Sequence, residues 1–344
     1  MKIVADNQIP YLADVLAREA QVVTMDGEGI TPREVRDADI LLVRTRTRCD
    51  RKLLEGSSVQ LICTATIGYD HIDMEWCREQ GIEVVTAAGC NARAVLQWVG
   101  AVLALHLSRR AAEPSDCTLG IVGVGNVGRL VAEYARSWGF KVLCSDPPRE
   151  EAEGLGRAEG FVPLDELLVT ADIVTLHPLL SREGSHPTYH LIGERELALM
   201  RPRTALINAS RGEVIDTVAL LSAISSKRLD CYLDVWEDEP NKISEELVRK
   251  AVISTFHIAG YSIQGKANAS SIVMRALSER FGLPFTDWYP SEVVPTTPRP
   301  IGWEEMVAQI DTYCPLEEID LKLKTQPSQF ERFRKNYSLR KEFF

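Results

Sequence analysis

Short apolar runs alternate with helix-forming stretches along most of this chain, and they do so in two separate series. In residues 1–86 the runs are "KIVA", "QVVT", "DILLV", "QLICT" and "IEVVT", with helix candidates between them at 9–19, 31–37, 50–55 and 72–80. That rhythm predicts βα units around a parallel sheet, because parallel neighbours need a long crossover connection. From Asn91 the pattern changes to "NARAVLQWVGAVLALHLSRR". Asn91 is a good N-cap, and apolar residues fill most of the positions after it, so a largely buried helix leads into a second unit. The second series runs through "CTLGIVGVG", "FKVLCSD", "ADIVTLHP", "RTALINAS", "LDCYLDVW" and "AVISTFH". These runs are continuous rather than alternating, so their strands are expected to be covered on both faces. A helical stretch over roughly 263–281 is placed to return the chain to the first unit.

The fold class expected is therefore α/β, with two doubly wound parallel-sheet domains of the Rossmann or flavodoxin-like kind. A length of 344 residues accommodates both and leaves an appendage. Beyond Pro284, prolines 290, 295, 298 and 300 interrupt the chain before amphipathic pieces that end in "QFERFRKNYSLRKEFF". Residues 286–344 are read as a small C-terminal α+β module.

With 45% apolar and 26% charged residues and a net charge of −10, the chain has the profile of a soluble globular protein. The acidic balance argues against nucleic acid or an anionic membrane as partner, since both reward a basic face. The N-terminus "MKIVADNQIPYLADV" has no apolar core of signal-peptide length, and Val95–Leu107 falls short of the ~20 residues of a bilayer span. Cysteines 49, 63, 77, 90, 117, 144, 231 and 314 are scattered without a C-x-x-C pair. They read as buried free thiols, and a reducing cytoplasm is the expected location. His71, His106, His177, His186 and His190 show no ligand spacing, so they read as structural and no metal site is expected.

"TLGIVGVGNVGRL" contains G-x-G-x-x-G at Gly123, Gly125 and Gly128, between an apolar strand and a helix. Asp146 ends the next strand 18 residues after Gly128, close to the ~20 expected of an acidic ribose ligand. Gly123 permits the tight turn, Gly125 lets backbone approach a pyrophosphate, and Gly128 lets helix pack on strand. The N–H groups of Asn126 and Val127 face the phosphates at the positive helix end. Asp146 would accept from ribose hydroxyls and repel a 2′-phosphate, which predicts NAD rather than NADP.

Three later stretches complete a recognisable set. "NASRGEVID" carries Arg211, "LDVWEDEP" carries Asp234 and Glu239, and "STFHIAGY" carries His257. With the glycine loop they resemble the D-isomer-specific 2-hydroxyacid dehydrogenases, over residues 1 to about 285. Oxidising a 2-hydroxy acid removes the hydroxyl proton while hydride leaves C2. A base that titrates near neutrality points to His257, a bidentate cation for the carboxylate points to Arg211, and Glu239 would orient the imidazole and stabilise its charged form. The resemblance further implies that Asp234 contacts the nicotinamide carboxamide and that Thr175, Ala209, Ser210, Arg211 and Gly260 line the cofactor. It makes 1–90 with 263–285 a discontinuous substrate-binding domain, 91–262 the NAD-binding Rossmann domain, and 286–344 a dimerisation module of a homodimer.

Finer stretches narrow the resemblance. "LLVRTRT", "TATIGYDH", "AAGCNARAV", "SDPPR", "HIAGYSIQGKA" and "FERFRKNYSLRKEF" resemble the branch that oxidises 4-phospho-D-erythronate to 2-oxo-3-hydroxy-4-phosphobutanoate, in pyridoxal 5′-phosphate synthesis. Such a substrate has two anionic ends. Arg44 and Arg46, at the end of the "DILLV" strand, are the candidates for the phosphate, with Lys266 as a possible helper and Arg48 as a bystander. By resemblance Thr45, Thr66 and Tyr261 supply hydroxyls. A solvated basic strand edge is the plain structural alternative for the arginines. The functional alternatives are a dehydrogenase of 3-phosphoglycerate, glycerate or lactate, and a non-catalytic NAD-sensing interaction protein.

Overall fold

The computed structural model describes residues 1–343, which divide into two compact units. The first comprises Met1–Asn91 and Ser262–Thr296. Its strands are β1 (Lys2–Asp6), β2 (Gln21–Met25), β3 (Ile40–Val43), β4 (Leu61–Thr64) and β5 (Glu83–Thr86). All pair in parallel, in the order β2-β1-β3-β4-β5, which is the flavodoxin-like doubly wound order. Val4, Leu41, Val43 and Ile62 pack on one face with Val35 and Leu53. Ile3, Ala5, Ile40, Leu42, Leu61 and Cys63 pack on the other with Val273, Met274 and Leu277 of the helix Ile263–Phe281. Neighbouring residues thus point to opposite faces and both are buried, which is why the strands read as unbroken apolar runs. The helix starts where Ser262 Oγ accepts from Gly265 N at 2.8 Å, and it ends at Gly282, whose φ is 69°.

The second unit comprises Ala92–Tyr261 and the chain from Thr297 onward. Its strands are β6 (Thr118–Val122), β7 (Lys141–Ser145), β8 (Ile173–Leu176), β9 (Ala205–Asn208), β10 (Asp230–Leu233) and β11 (Ile253–Ser254). They are parallel and ordered β11-β10-β9-β8-β6-β7. A single-residue parallel bridge pairs Cys144 of β7 with Phe161. Counting that bridge as a vestigial strand at the β7 edge restores the Rossmann order, whose direction switches between β6 and β8. The buried helix expected from Asn91 spans Ala92–Arg110, and the one opened by the glycine loop spans Asn126–Trp138.

From Thr297 the described residues form the helices Trp303–Tyr313, Leu316–Thr325 and Phe330–Lys335, with no strand of either sheet among them. The α+β texture read from the sequence is therefore helical here. Met306 and Ile310, then Leu316, Ile319 and Leu323, recur at helical spacing and enter the same core as the second sheet. Strand-type alternation is missing from this stretch, and the prolines only separate the helices.

Candidate active site

The glycine loop shows three distinct uses of a missing side chain. Gly123 has φ 81°, and a Cβ there would lie 2.5 Å from Pro178 N. A Cβ on Gly128 would lie 2.1 Å from the Gly123 carbonyl oxygen. At Gly125, by contrast, an added Cβ meets nothing within 4 Å. The first two residues make the turn and seat the helix, while the third leaves open space beside the helix N-terminus, as a pyrophosphate requires. The residues present therefore fit a dinucleotide.

Asp146 accepts from Val124 N at 2.7 Å and from Arg149 N at 3.2 Å, tying the loop to the start of the helix Pro147–Glu153. Arg149, which could have favoured a 2′-phosphate, is held by Glu153 at 2.7 Å and by the Val124 carbonyl at 3.1 Å. Thr175 is buried at the end of β8, its hydroxyl 2.9 Å from His177 Nε2. Burial pushes the His177 imidazole down to about 3, so that ring is neutral.

Arg211 follows β9 on a turn organised by Asn208. The buried Asn208 amide donates to the Arg211 carbonyl at 2.9 Å and accepts from Ser210 N at 3.0 Å and Ser210 Oγ at 2.8 Å. Arg211 itself donates from Nη1 to the Ser210 carbonyl at 2.8 Å. At Gly212 a Cβ would sit 1.9 Å from the Trp236 carbonyl carbon, so only glycine lets this turn meet the backbone leading to Glu239.

His257 Nδ1 pairs with Glu239 Oε1, and both side chains are mostly shielded, at 23% and 16% exposed. Burial alone would raise the Glu239 carboxyl. The imidazole beside it, the Arg334 guanidinium and the Trp236 N–H outweigh burial and hold the carboxyl below its usual range. An ionised Glu239 can only accept, so the Nδ1 facing it carries the proton, and in the neutral ring Nε2 has a lone pair. His257 adopts φ 58°, a left-handed conformation that a non-glycine residue keeps only when its surroundings impose it. Its N–H donates to the Asp234 carbonyl at 2.7 Å. The buried Asp234 carboxylate accepts from Thr255 Oγ1 and from the N–H groups of Ile258 and Ala259, both at 2.8 Å. In this structure Asp234 is the internal anchor of the His257 loop, with one lone-pair position left for another donor.

In the first unit the chain leaves β3 at Val43, and residues 44–47 form a turn closed by Thr47 N donating to the Arg44 carbonyl at 3.2 Å. Arg44 and Arg46 thus lie on a turn and not in strand register. Arg44 donates weakly to the Gln8 carbonyl at 3.5 Å, just past β1, at the sheet's switch point. Its Nε is buried without an acceptor among the described residues. Arg46 pairs with Glu28 at 3.0 Å, and the largely exposed Arg48 pairs with Asp50 at 2.9 Å. Thr45 is exposed, while the Thr66 hydroxyl lies 2.6 Å from Thr64 Oγ1. Tyr261, in the second unit, accepts from Arg334 Nε at 3.1 Å.

Residues 94–259 match the family described as D-isomer specific 2-hydroxyacid dehydrogenase, NAD binding domain. An erythronate-4-phosphate dehydrogenase from Bacteroides thetaiotaomicron is 42% identical, over 99% of this chain and 97% of the relative. The Escherichia coli protein of the same name is 37% identical, over 100% and 92%. The Marinobacter nauticus one reaches 48%, over 83% and 74%. The chain belongs to the D-isomer-specific 2-hydroxyacid dehydrogenase family. Among solved structures, D-lactate dehydrogenase from Aquifex aeolicus, complexed with NAD and lactic acid, matches with a TM-score of 0.66 and 25% identity, over 81% of this chain and 95% of that one.

As a member of this family the chain is an NAD-dependent oxidoreductase, with its NAD-binding fold in the second unit. Three residues of this dehydrogenase escaped the sequence reading. Asn208 was legible as an amide ending a buried strand, a position that usually caps a turn. Arg334 and Arg340 carried no signal, because arginines in a polar, proline-broken tail look solvated until the tail is seen packed.

Proposed function

We propose that this dehydrogenase oxidises 4-phospho-D-erythronate to 2-oxo-3-hydroxy-4-phosphobutanoate, within pyridoxal 5′-phosphate synthesis. The observation that carries the chemistry is the Glu239–His257 pair on its braced loop. Bound NAD supplies the hydride acceptor. Neutral His257 takes the C2 hydroxyl proton at Nε2, and the ionised Glu239 stabilises the resulting imidazolium. Arg211 holds the substrate carboxylate as a bidentate cation. In the reverse direction His257 returns the proton to the forming hydroxyl. Asp234 anchors the loop that carries His257 and Gly260 lies on that loop, and with Thr175, Ala209 and Ser210 they are assigned to the cofactor by family resemblance.

Arg44 and Arg46 are assigned to the phosphate, supported by the buried, acceptor-less Nε of Arg44. Thr45, Thr66, Tyr261 and Lys266 are assigned with them by resemblance. Dehydrogenases of lactate, glycerate or 3-phosphoglycerate are less favoured, because the relatives at 37–48% identity carry the erythronate-4-phosphate name. A homodimer is proposed from the same resemblance, and Val307 and Leu321 on the C-terminal helices are exposed apolar side chains. A cytoplasmic location fits eight cysteines that form no disulfide among the described residues, where no helix is long and apolar enough to cross a membrane.

Replacing both Arg44 and Arg46 by alanine tests the substrate assignment in NADH-production assays. kcat/KM is expected to fall at least ~100-fold with 4-phospho-D-erythronate and less than ~5-fold with D-erythronate, since a charge-assisted contact is worth ~1.5–3 kcal/mol. Equal losses on both acids would return these arginines to a solvated turn, and no turnover of the phosphorylated acid by the parent enzyme would reject the substrate.

A further inference from the structure

The C-terminal tail packs against the loop that carries the catalytic pair. The Phe333 ring lies 5.7 Å from that of Phe256, immediately before His257. The Tyr337 ring lies 6.0 Å from Phe256 and 6.4 Å from Tyr261. Arg334 donates from Nε to Tyr261 Oη at 3.1 Å, and its guanidinium carbon is 5.9 Å from the centre of that ring. Arg340 is buried, donating from Nη1 to the Ile258 carbonyl at 2.8 Å and from Nη2 to the Ala94 carbonyl at 2.9 Å and the Ala259 carbonyl. The tail therefore holds the loop on both sides of His257 from outside, while Asp234 holds it from within.

We propose that residues 330–340 brace the catalytic loop, with Arg334 as a positioning residue whose charge keeps the Glu239–His257 pair ready to take a proton. The proposal rests on the reading of that pair given above. A purely structural role would be met by any good donor to the Tyr261 hydroxyl. Arg334 also brings a positive charge to this loop: its side chain is only 19% exposed, and after the imidazole it helps hold the Glu239 carboxyl below its usual range. The charged and titratable groups facing one another here are few. Glu239 faces His257 and Arg334, and it also receives the Trp236 N–H. Arg334 faces Tyr261, Glu239 and Glu331, the last at 4.0 Å, and Glu331 in turn has Lys335 at 3.9 Å.

The signs follow directly. Removing the Arg334 charge weakens support for the Glu239 carboxylate and relieves repulsion of the imidazolium, so His257 binds its proton at higher pH. Removing the Glu331 charge leaves Arg334 less compensated, so His257 binds its proton at lower pH. Arg334→Gln keeps an N–H for Tyr261 while deleting the charge, and Glu331→Gln alters no residue assigned to chemistry.

The test follows the titration of the His257 ring by NMR in the full-length protein, assigned by its loss in His257→Asn. It is read beside the acidic limb of kcat/KM with 4-phospho-D-erythronate and NAD. Arg334→Gln should move the ring midpoint up by about half a unit or more, Glu331→Gln should move it down, and Arg334→Lys should hold it near the parent value. A folded Arg334→Gln protein with an unmoved midpoint overturns the proposal. If that variant does not fold, an unmoved or raised midpoint in Glu331→Gln does so. Because the ring titration needs no turnover, an enzyme inactive on the substrate would count against the proposed function and leave the brace to be judged on its own.

Discussion

Asp146 illustrates how much one side chain can be asked to do. Its carboxylate already accepts the Val124 and Arg149 N–H groups and so fixes the glycine loop, and the same charge is proposed to face the adenosine ribose. Serine at this position keeps a helix cap but removes the charge that would repel a 2′-phosphate. Asp146→Ser is therefore expected to raise the NADP-to-NAD ratio of kcat/KM about tenfold, which corresponds to ~1.4 kcal/mol. An unchanged ratio, measured by initial rates with both cofactors, would move Asp146 away from the ribose. The pairing of His257 with Glu239 was expected from their motifs and the family resemblance, and the structure brings the two side chains together. Their environment was not. Arg334, 77 residues beyond His257 in the sequence, acts on Glu239 only through tertiary packing.

At the scale of elements, the strands were the most legible part. "ILLV" and "ALIN" became β3 and β9 because unbroken apolar runs bury both faces of a parallel sheet. The turn at Arg44–Thr47 was misjudged as the end of a strand, since alternating arginine and threonine mimics a period of two. The tail was the least legible element, because its amphipathic helices bury their stripe against a core built far away in the sequence. Arg340 is its firmest anchor. Arg340→Met strips charged donors from three buried carbonyls, at Ala94, Ile258 and Ala259, and should destabilise the protein by about 2–4 kcal/mol. Urea denaturation checks this, and a variant as stable as the parent would show that the tail does not hold the loop.

At the scale of the molecule, buried histidines make stability depend on pH. Burial, reinforced by Arg110, pushes His106 down to about 4, and its Nδ1 lies 2.9 Å from Tyr232 Oη in the second core. Its unfolded value is near 6.5, so the unfolded chain takes the proton first. Stability is intact above pH ~6.5 and falls as pH drops towards 4, by about 2 kcal/mol at pH 5 for this one group. Glu239 contributes with a depressed carboxyl, whose stabilisation is lost only as pH falls below the ordinary carboxylate range, outside this window. Urea unfolding at pH 8 and pH 5 should therefore show less pH dependence in His106→Asn, and an equal loss in both proteins would refute the buried neutral ring. The two-unit α/β plan was legible from the paired βα series, whereas the helical tail's membership of the second unit emerged only from its packing. The proposed activity requires His257 to take the substrate proton, and one comparison tests that most directly. His257→Asn should bind NAD as the parent does while kcat for 4-phospho-D-erythronate falls ~10²–10⁴-fold; a variant turning over within threefold of the parent would contradict the account.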